Sequence, residues 1–195
     1  DAASSPFVTV GVGQEVASAD VTMVRAPTAR VSGTIRDAQG RPNVAGSLRL
    51  LPSRSSPMAS VPIGARIGDG GTFEFPNVPP GAYVIQVYGG QRNRATEGEF
   101  AALPVLVGER DLTDLTLQAT PGSAIAGRVS FVRSTAIGLP PRGSIDIEPV
   151  PVDADLAPMT GRAVADVHDD WTFLMSGVSG PRRLEVSRLP PGWAL

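Results

Sequence analysis

Val31-Ser32-Gly33-Thr34-Ile35 and Ile125-Ala126-Gly127-Arg128-Val129 are one strand pattern written twice, at an offset of 94 from Gly33 to Gly127. The residues before each copy repeat as well. Asp20, Val21-Thr22-Met23 and Pro27 fall on Asp114, Leu115-Thr116-Leu117 and Pro121 without a gap. Further on, Asp69, Thr72-Phe73 and Val78 fall on Asp169, Thr172-Phe173 and Val178 at an offset of 100. Between them, Ser47-Leu48-Arg49-Leu50-Leu51-Pro52 resembles Ser144-Ile145-Asp146-Ile147-Glu148-Pro149 at an offset of 97. Small loop insertions account for the drift. The chain therefore reads as two copies of a unit of roughly 95–100 residues, and that repeat governs the fold before any single element does.

Each unit reads as β. Val8-Thr9-Val10, Val21–Val24, Val31–Ile35, Ser47–Leu51, Thr72–Phe75, Ala82–Val87, Val105–Val107 and Leu115–Leu117 alternate or cluster apolar residues as half-buried strands do. Turn chemistry separates them at Asp37-Ala38-Gln39-Gly40, Asp69-Gly70-Gly71 and Pro79-Pro80-Gly81. Strands at such spacing predict a small antiparallel sandwich in each copy. Phe73 and Phe75 fall on one face by period two, as do Tyr83, Ile85 and Val87, and both sets are expected in the core.

Composition agrees and narrows the function classes. Gly (22) and Pro (19) make up about a fifth of the 195 residues, too much punctuation for long helices. Apolar residues at 42% suffice for a core. A net charge of −2 argues against nucleic-acid binding, which draws its affinity from phosphate neutralisation; all 17 basic residues are arginine. No apolar run of about 18 residues predicts a membrane-spanning helix, and no basic-then-apolar start marks a signal peptide. Zero Cys excludes disulfides and thiolate sites, and the single His168 excludes multi-histidine zinc patterns. No cofactor is expected.

The stretch from Ala29 to Val87 carries a resemblance. Val31-Ser32-Gly33-Thr34-Ile35, Asp37-Ala38-Gln39-Gly40-Arg41-Pro42, Asp69-Gly70-Gly71-Thr72-Phe73-Glu74-Phe75 and Val78-Pro79-Pro80-Gly81-Ala82-Tyr83 together resemble the carboxypeptidase regulatory-like domain family. That resemblance implies tandem transthyretin-like (Ig-like, prealbumin-like) seven-stranded sandwiches of a bacterial or archaeal cell-surface or extracellular protein. The second copy keeps Gly127, Asp169, Phe173 and Val178 but lacks D-x-x-G-x-P, and Ser179-Gly180-Pro181 replaces Pro-Pro-Gly. The family name invites a zinc peptidase, yet no H-x-x-E ligand pair is present.

The ends are permuted by about a quarter of a unit. Residues 1–24 match closing strands, because Phe7–Val10 and Val21–Val24 align with Pro104–Val107 and Leu115–Gln118. The first unit then spans 25–119, and the diverged second unit spans 120–195 without closing strands of its own. Three arrangements follow: a cut from a longer multi-repeat protein, a donor strand completing a neighbour's sheet, or a fold-back within the chain. Pairing with a neighbouring copy or an adjacent repeat would make a linear array or filament, and would cover an otherwise aggregation-prone edge.

Candidate chemistry is sparse. His168 with Asp166, Asp169 and Asp170 forms either an acid/base site or a polar hairpin equivalent to Gly68–Gly71; repeat equivalence favours the hairpin. A Ca²⁺ site that adds Asp153 and Asp155 would need six or more oxygens, and the calcium-loop spacing is missing. No G-x-S-x-G elbow is present, and the glycines Gly11–Gly13 precede no G-K-[ST]. Arg92, Arg94, Arg182 and Arg183 read as solvated charge before anion contacts. Trp171, Trp193, Tyr83 and Tyr88 read as core packing before a glycan-stacking platform. No catalytic, cofactor or metal residue is assigned. The expected function is a non-catalytic structural or adhesive surface module, with a carbohydrate-binding accessory module of a secreted enzyme or transporter as the alternative. Burial of the aromatics separates the two readings.

Overall fold

The computed structural model describes residues 8–17, 25, 27–42, 46–53, 62–89, 98–132, 138–141, 143–158 and 163–194. Among these the chain is all-β, apart from 3-10 turns at Asp69–Gly71 and Ala154–Leu156. Seven strands form the first sandwich: β1 (Ala29–Arg36), β2 (Ser47–Pro52), β3 (Ile63–Ala65), β4 (Thr72–Val78), β5 (Gly81–Gly89), β6 (Glu99–Val107) and β7 (Leu112–Gln118). One sheet has the order β4-β1-β7 and the other β3-β2-β5-β6. Their inner faces meet through Val31, Ile35, Leu50, Phe75, Val78, Ile85 and Val87, all wholly buried. The Phe73 and Phe75 rings pack edge to face at 5.8 Å.

Every ladder of this sandwich is antiparallel except one. β1 and β7 run parallel, Gly33 opposite Leu115 and Thr34 opposite Thr116. That one ladder is parallel because the chain changes sheets between β6 and β7 and re-enters alongside its first strand. Gly33 permits that neighbour. A Cβ at this position would lie 2.0 Å from the Leu115 carbonyl oxygen.

The second set comprises β8 (Ser123–Arg128), β9 (Asp146–Pro151), β10 (Asp166–Val167), β11 (Thr172–Val178) and β12 (Arg182–Arg188). Its sheets are β10-β11-β8 and β12-β9. The registers of the two sets superimpose residue on residue. β1 and β4 pair Ala29 with Val78, Val31 with Phe75, Gly33 with Phe73 and Thr34 with Thr72. β8 and β11 pair Ser123 with Val178, Ile125 with Met175, Gly127 with Phe173 and Arg128 with Thr172. These are the repeat partners at offsets of 94 and 100, and the register irregularity falls between the same pairs.

Two expectations need amendment, and a third falls outside the described residues. Val8-Thr9-Val10 forms no strand; Val8 and Val10 are 52% and 58% exposed. A lone segment gains no ladder and does not hold a strand by itself. Val21–Val24 lies outside the described residues, as does Phe7. β6 begins at Glu99, well before Val105, because its register with β5 continues from Gly81–Val107 to Gly89–Glu99.

Candidate functional site

β5 positions the most unusual side chain of the molecule. Tyr83, Ile85 and Val87 enter the first core, so period two sends Val84, Gln86 and Tyr88 to the outer face of the sheet. That outer face is buried too, and Gln86 is 0% exposed. What covers it comes from the second unit. The Gln86 amide Nε2 donates to the carbonyls of Asp155 at 2.8 Å and Ala157 at 3.1 Å. Its Oε1 accepts a hydrogen bond from the Tyr88 hydroxyl. Beside it, Ser53 Oγ donates to Asp155 Oδ2 at 2.7 Å.

The turn that presents those carbonyls is itself capped. Asp153 Oδ1 accepts the Asp155 N–H at 2.9 Å, which starts the 3-10 turn Ala154–Leu156. Leu156 then contributes to the walls of two shallow grooves, one beside Ala82–Val84 and Pro104–Leu106, the other beside Phe100–Leu103 and Thr116–Gln118. Thr120 and Phe100 exchange two backbone bonds of 3.0 Å, which hold the linker against β6. Asp153 and Asp155 thus serve the junction between the units. Among the described residues, no three His, Cys, Asp or Glu lie in a group that could hold a metal ion.

The His168 cluster is a turn of the kind repeat equivalence favours. The His168 N–H donates to Thr172 O at 2.8 Å, and the Trp171 N–H to His168 O at 3.0 Å. In the first unit Gly68 and Thr72 make the same bond at 2.8 Å, and Gly71 and Gly68 make the other at 3.1 Å. Trp171 even adopts φ 66°, matching the 75° of Gly71. A positive φ is uncommon for a bulky residue, and ring packing on Phe131 at 4.7 Å accompanies it here. Asp170 Oδ1 accepts from the Thr172 hydroxyl at 2.6 Å and from the Thr172 N–H at 3.1 Å. Those two bonds hold its carboxyl below the ordinary value of 3.8.

A pH dependence follows. The folded carboxyl titrates below the unfolded one, so its stabilisation is present above 3.8 and is lost as the pH falls through the lower folded value. Asp170→Asn is expected to flatten that part of the acid limb in thermal unfolding, and an unchanged limb would exclude the contribution. The turn Asp37–Arg41 is the first unit's counterpart in charge. Asp37 accepts from the backbone N–H groups of Gln39 and Arg41 at 2.9 Å and from Arg41 Nε at 2.8 Å. Desolvation pushes its carboxyl up, but these bonds outweigh it and hold the carboxyl low.

The remaining candidates separate. Tyr83 and Tyr88 are buried, so neither offers a face to a sugar. Trp171 and Trp193 are half-buried and meet Phe131 edge to face, at 4.7 and 5.2 Å, instead of forming a coplanar platform. Arg182 donates to the carbonyls of Ser179 and Pro149 at 2.8 and 3.0 Å. Arg183 pairs with Glu185 at 2.6 Å. Arg92 and Arg94 lie outside the described residues.

Sequence reasoning passed over Gln86. The available signal was the run Ala82–Tyr88, apolar on both parities except for one glutamine, which marks a strand buried on both faces.

No family model matches the chain, and no curated protein does. Solved structures do match. The chain resembles a candidate carbohydrate-binding protein from Pseudomonas aeruginosa at 15% identity and a TM-score of 0.36, covering 48% of this chain and 89% of that one. It resembles a DUF3823 family protein from Parabacteroides merdae at 17% identity and a TM-score of 0.37, covering 84% and 82%. It also resembles the minor pilin of Streptococcus agalactiae at 14% identity and a TM-score of 0.38, covering 86% of each. Likeness at this level assigns no role. The all-β assignment rests on the ladders, and the resemblance to carboxypeptidase regulatory-like domains extends to the β-sandwich architecture only.

Proposed function

We propose that this chain is a non-catalytic structural module of an extracellular or cell-surface protein, a stiff spacer or adhesive element made of coupled β-sandwich repeats. The junction carries the reading. A glutamine wholly removed from water, with both hydrogens of its amide on carbonyls of the other unit, resists hinge motion between the two. Repeated sandwiches joined this way extend reach without new chemistry. The buried tyrosines and edge-on tryptophans support this reading over a glycan-binding accessory module.

Gln86→Ala tests it. Each buried partner that loses its bond costs about 1–3 kcal/mol, and that loss falls on the junction, not on either core. The expected result is a pair of sandwiches that tumble separately in NMR relaxation and broaden the small-angle scattering profile, each with its own ladder intact. Unchanged tumbling would remove the basis for a stiff spacer. Glycan-array binding abolished by Trp193→Ala would overturn the reading in favour of the carbohydrate module.

A further inference from the structure

We infer that the first sandwich carries tension along the chain, and that the parallel β1–β7 ladder is the clamp that bears it. The inference rests on the module reading above and deepens it, because it names the load that a stiff spacer transmits and the contact that resists it.

The chain enters the first sandwich at the start of β1, Ala29, and leaves it at the end of β7, Gln118. These two strands lie side by side and run parallel, with Val31 opposite Leu112 and Arg36 opposite Gln118. The Ala119 N–H donates to Arg36 O at 2.8 Å and carries the ladder one bond further. Tension draws β1 back toward Ala29 and β7 forward past Gln118, so the strands are driven to slide along one another. In that geometry every bond between them shares the load, and all must fail together. Two strands pulled apart from the same end of a ladder instead lose one bond at a time. Forced unfolding is governed by the unfolding barrier, and a barrier that takes in every rung at once is high.

Two features of the ladder oppose sliding. The first is the close approach at Gly33, where a Cβ would stand 2.0 Å from the Leu115 carbonyl oxygen. Gly33 is the one glycine of β1, between Ser32 and Thr34. A slip of one residue in either direction therefore drives a side chain into the Leu115 main chain, and also turns the buried face of the strand outward. The second is a bulge. Between the rungs Val31–Leu112 and Gly33–Leu115, β7 spends one residue more than β1, and Asp114 takes φ 59°. An extra residue of this kind fits the partner strand at one register only. Behind the ladder, Val31, Ile35 and Leu117 are locked into the buried cluster, and β4 holds the other side of β1. The second unit offers no equivalent among the described residues. Ser123 at the start of β8 and Arg188 at the end of β12 lie in different sheets, and its ladders are antiparallel.

Single-molecule force spectroscopy on the full chain tests the clamp, and the lack of native cysteine lets handles be placed at will. Thr28→Cys with Pro121→Cys puts the anchors at opposite ends of the ladder and loads it in shear. Thr28→Cys with Arg110→Cys puts both at one end and peels the same ladder. All three positions are exposed. At one loading rate the shear pair is expected to need several-fold more force than the peel pair. Its rupture should lengthen the tether by about 300 Å, the extended length of the chain between the anchors. Gly33→Ala should bring the shear force down toward the peel force. Should that variant fail to fold, the two anchor pairs in the unsubstituted ladder decide the matter alone. Equal forces in the two geometries overturn the clamp, and a folded Gly33→Ala chain with undiminished shear force overturns the part given to Gly33. Equal forces in a chain whose units still tumble together would sink the clamp and keep the stiff junction. Unequal forces in a chain whose units tumble separately would do the reverse.

Discussion

Phe73→Ala is expected to destabilise the first sandwich by about 3–5 kcal/mol, the cost of deleting a buried ring and leaving a cavity. Phe73 is almost wholly buried, packs edge to face on Phe75, and sits opposite Gly33 in the β1–β4 ladder. Ile35, Leu50 and Leu117 share its buried cluster between the two sheets and cannot collapse far into the vacated space. Against a total stability of about 5–15 kcal/mol for an ordinary domain, that loss is large. The equivalent change in the second unit, Phe173→Ala, removes the same ring from the same register. That core is smaller and borders an open groove, so relaxation and water entry are easier and the cost should fall near about 3 kcal/mol. Calorimetry of the two variants decides the matter. Equal losses would mean the second core is as tightly confined as the first.

Gly33→Ala is expected to cost about 3 kcal/mol, the upper end of overpacking, and to detach β7 from β1. The added Cβ would stand 2.0 Å from a backbone oxygen of Leu115, 2.7 Å from its carbonyl carbon and 2.9 Å from its Cα. No rotamer change relieves contact with main chain, so the parallel ladder itself must move. Gly127 occupies the same place in the repeat, but a Cβ there meets the far end of the Phe173 ring, at 2.4 Å. A ring can tilt where a peptide cannot, so Gly127→Ala should cost about 1 kcal/mol. Amide exchange along Leu112–Gln118 reads the first effect directly: protection in β7 should vanish in Gly33→Ala, with that in β5 and β6 retained. Intact β7 protection would show that the ladder has slack.

Much of the fold was legible because the repeat is written in the residues that cannot be exchanged. Gly33 and Gly127, Phe73 and Phe173, Val78 and Val178 mark the close approach, the core ring and the strand end, and each pair occupies one register position in both ladders. The His168 hairpin was legible for the same reason, since its two turn bonds duplicate those of Gly68–Thr72. Strand β3 was not, because Ile63-Gly64-Ala65 is only three residues long, too short for its alternation to stand out, and takes its conformation from pairing with β2. Val8–Val10 failed in the opposite sense, with a strand pattern but no ladder partner among the described residues.

Local chemistry therefore settled the β class and the turns at Asp37–Arg41, Gly68–Thr72 and His168–Thr172, since alternation, glycine and proline act over a few residues. The parallel seating of β7, the burial of Gln86 from both sides and the end positions of β8 and β12 among the described residues belong to tertiary structure. Each depends on which segment arrives from far along the chain to cover a face or an edge, and a strand carries the same alternating pattern whether or not that partner comes.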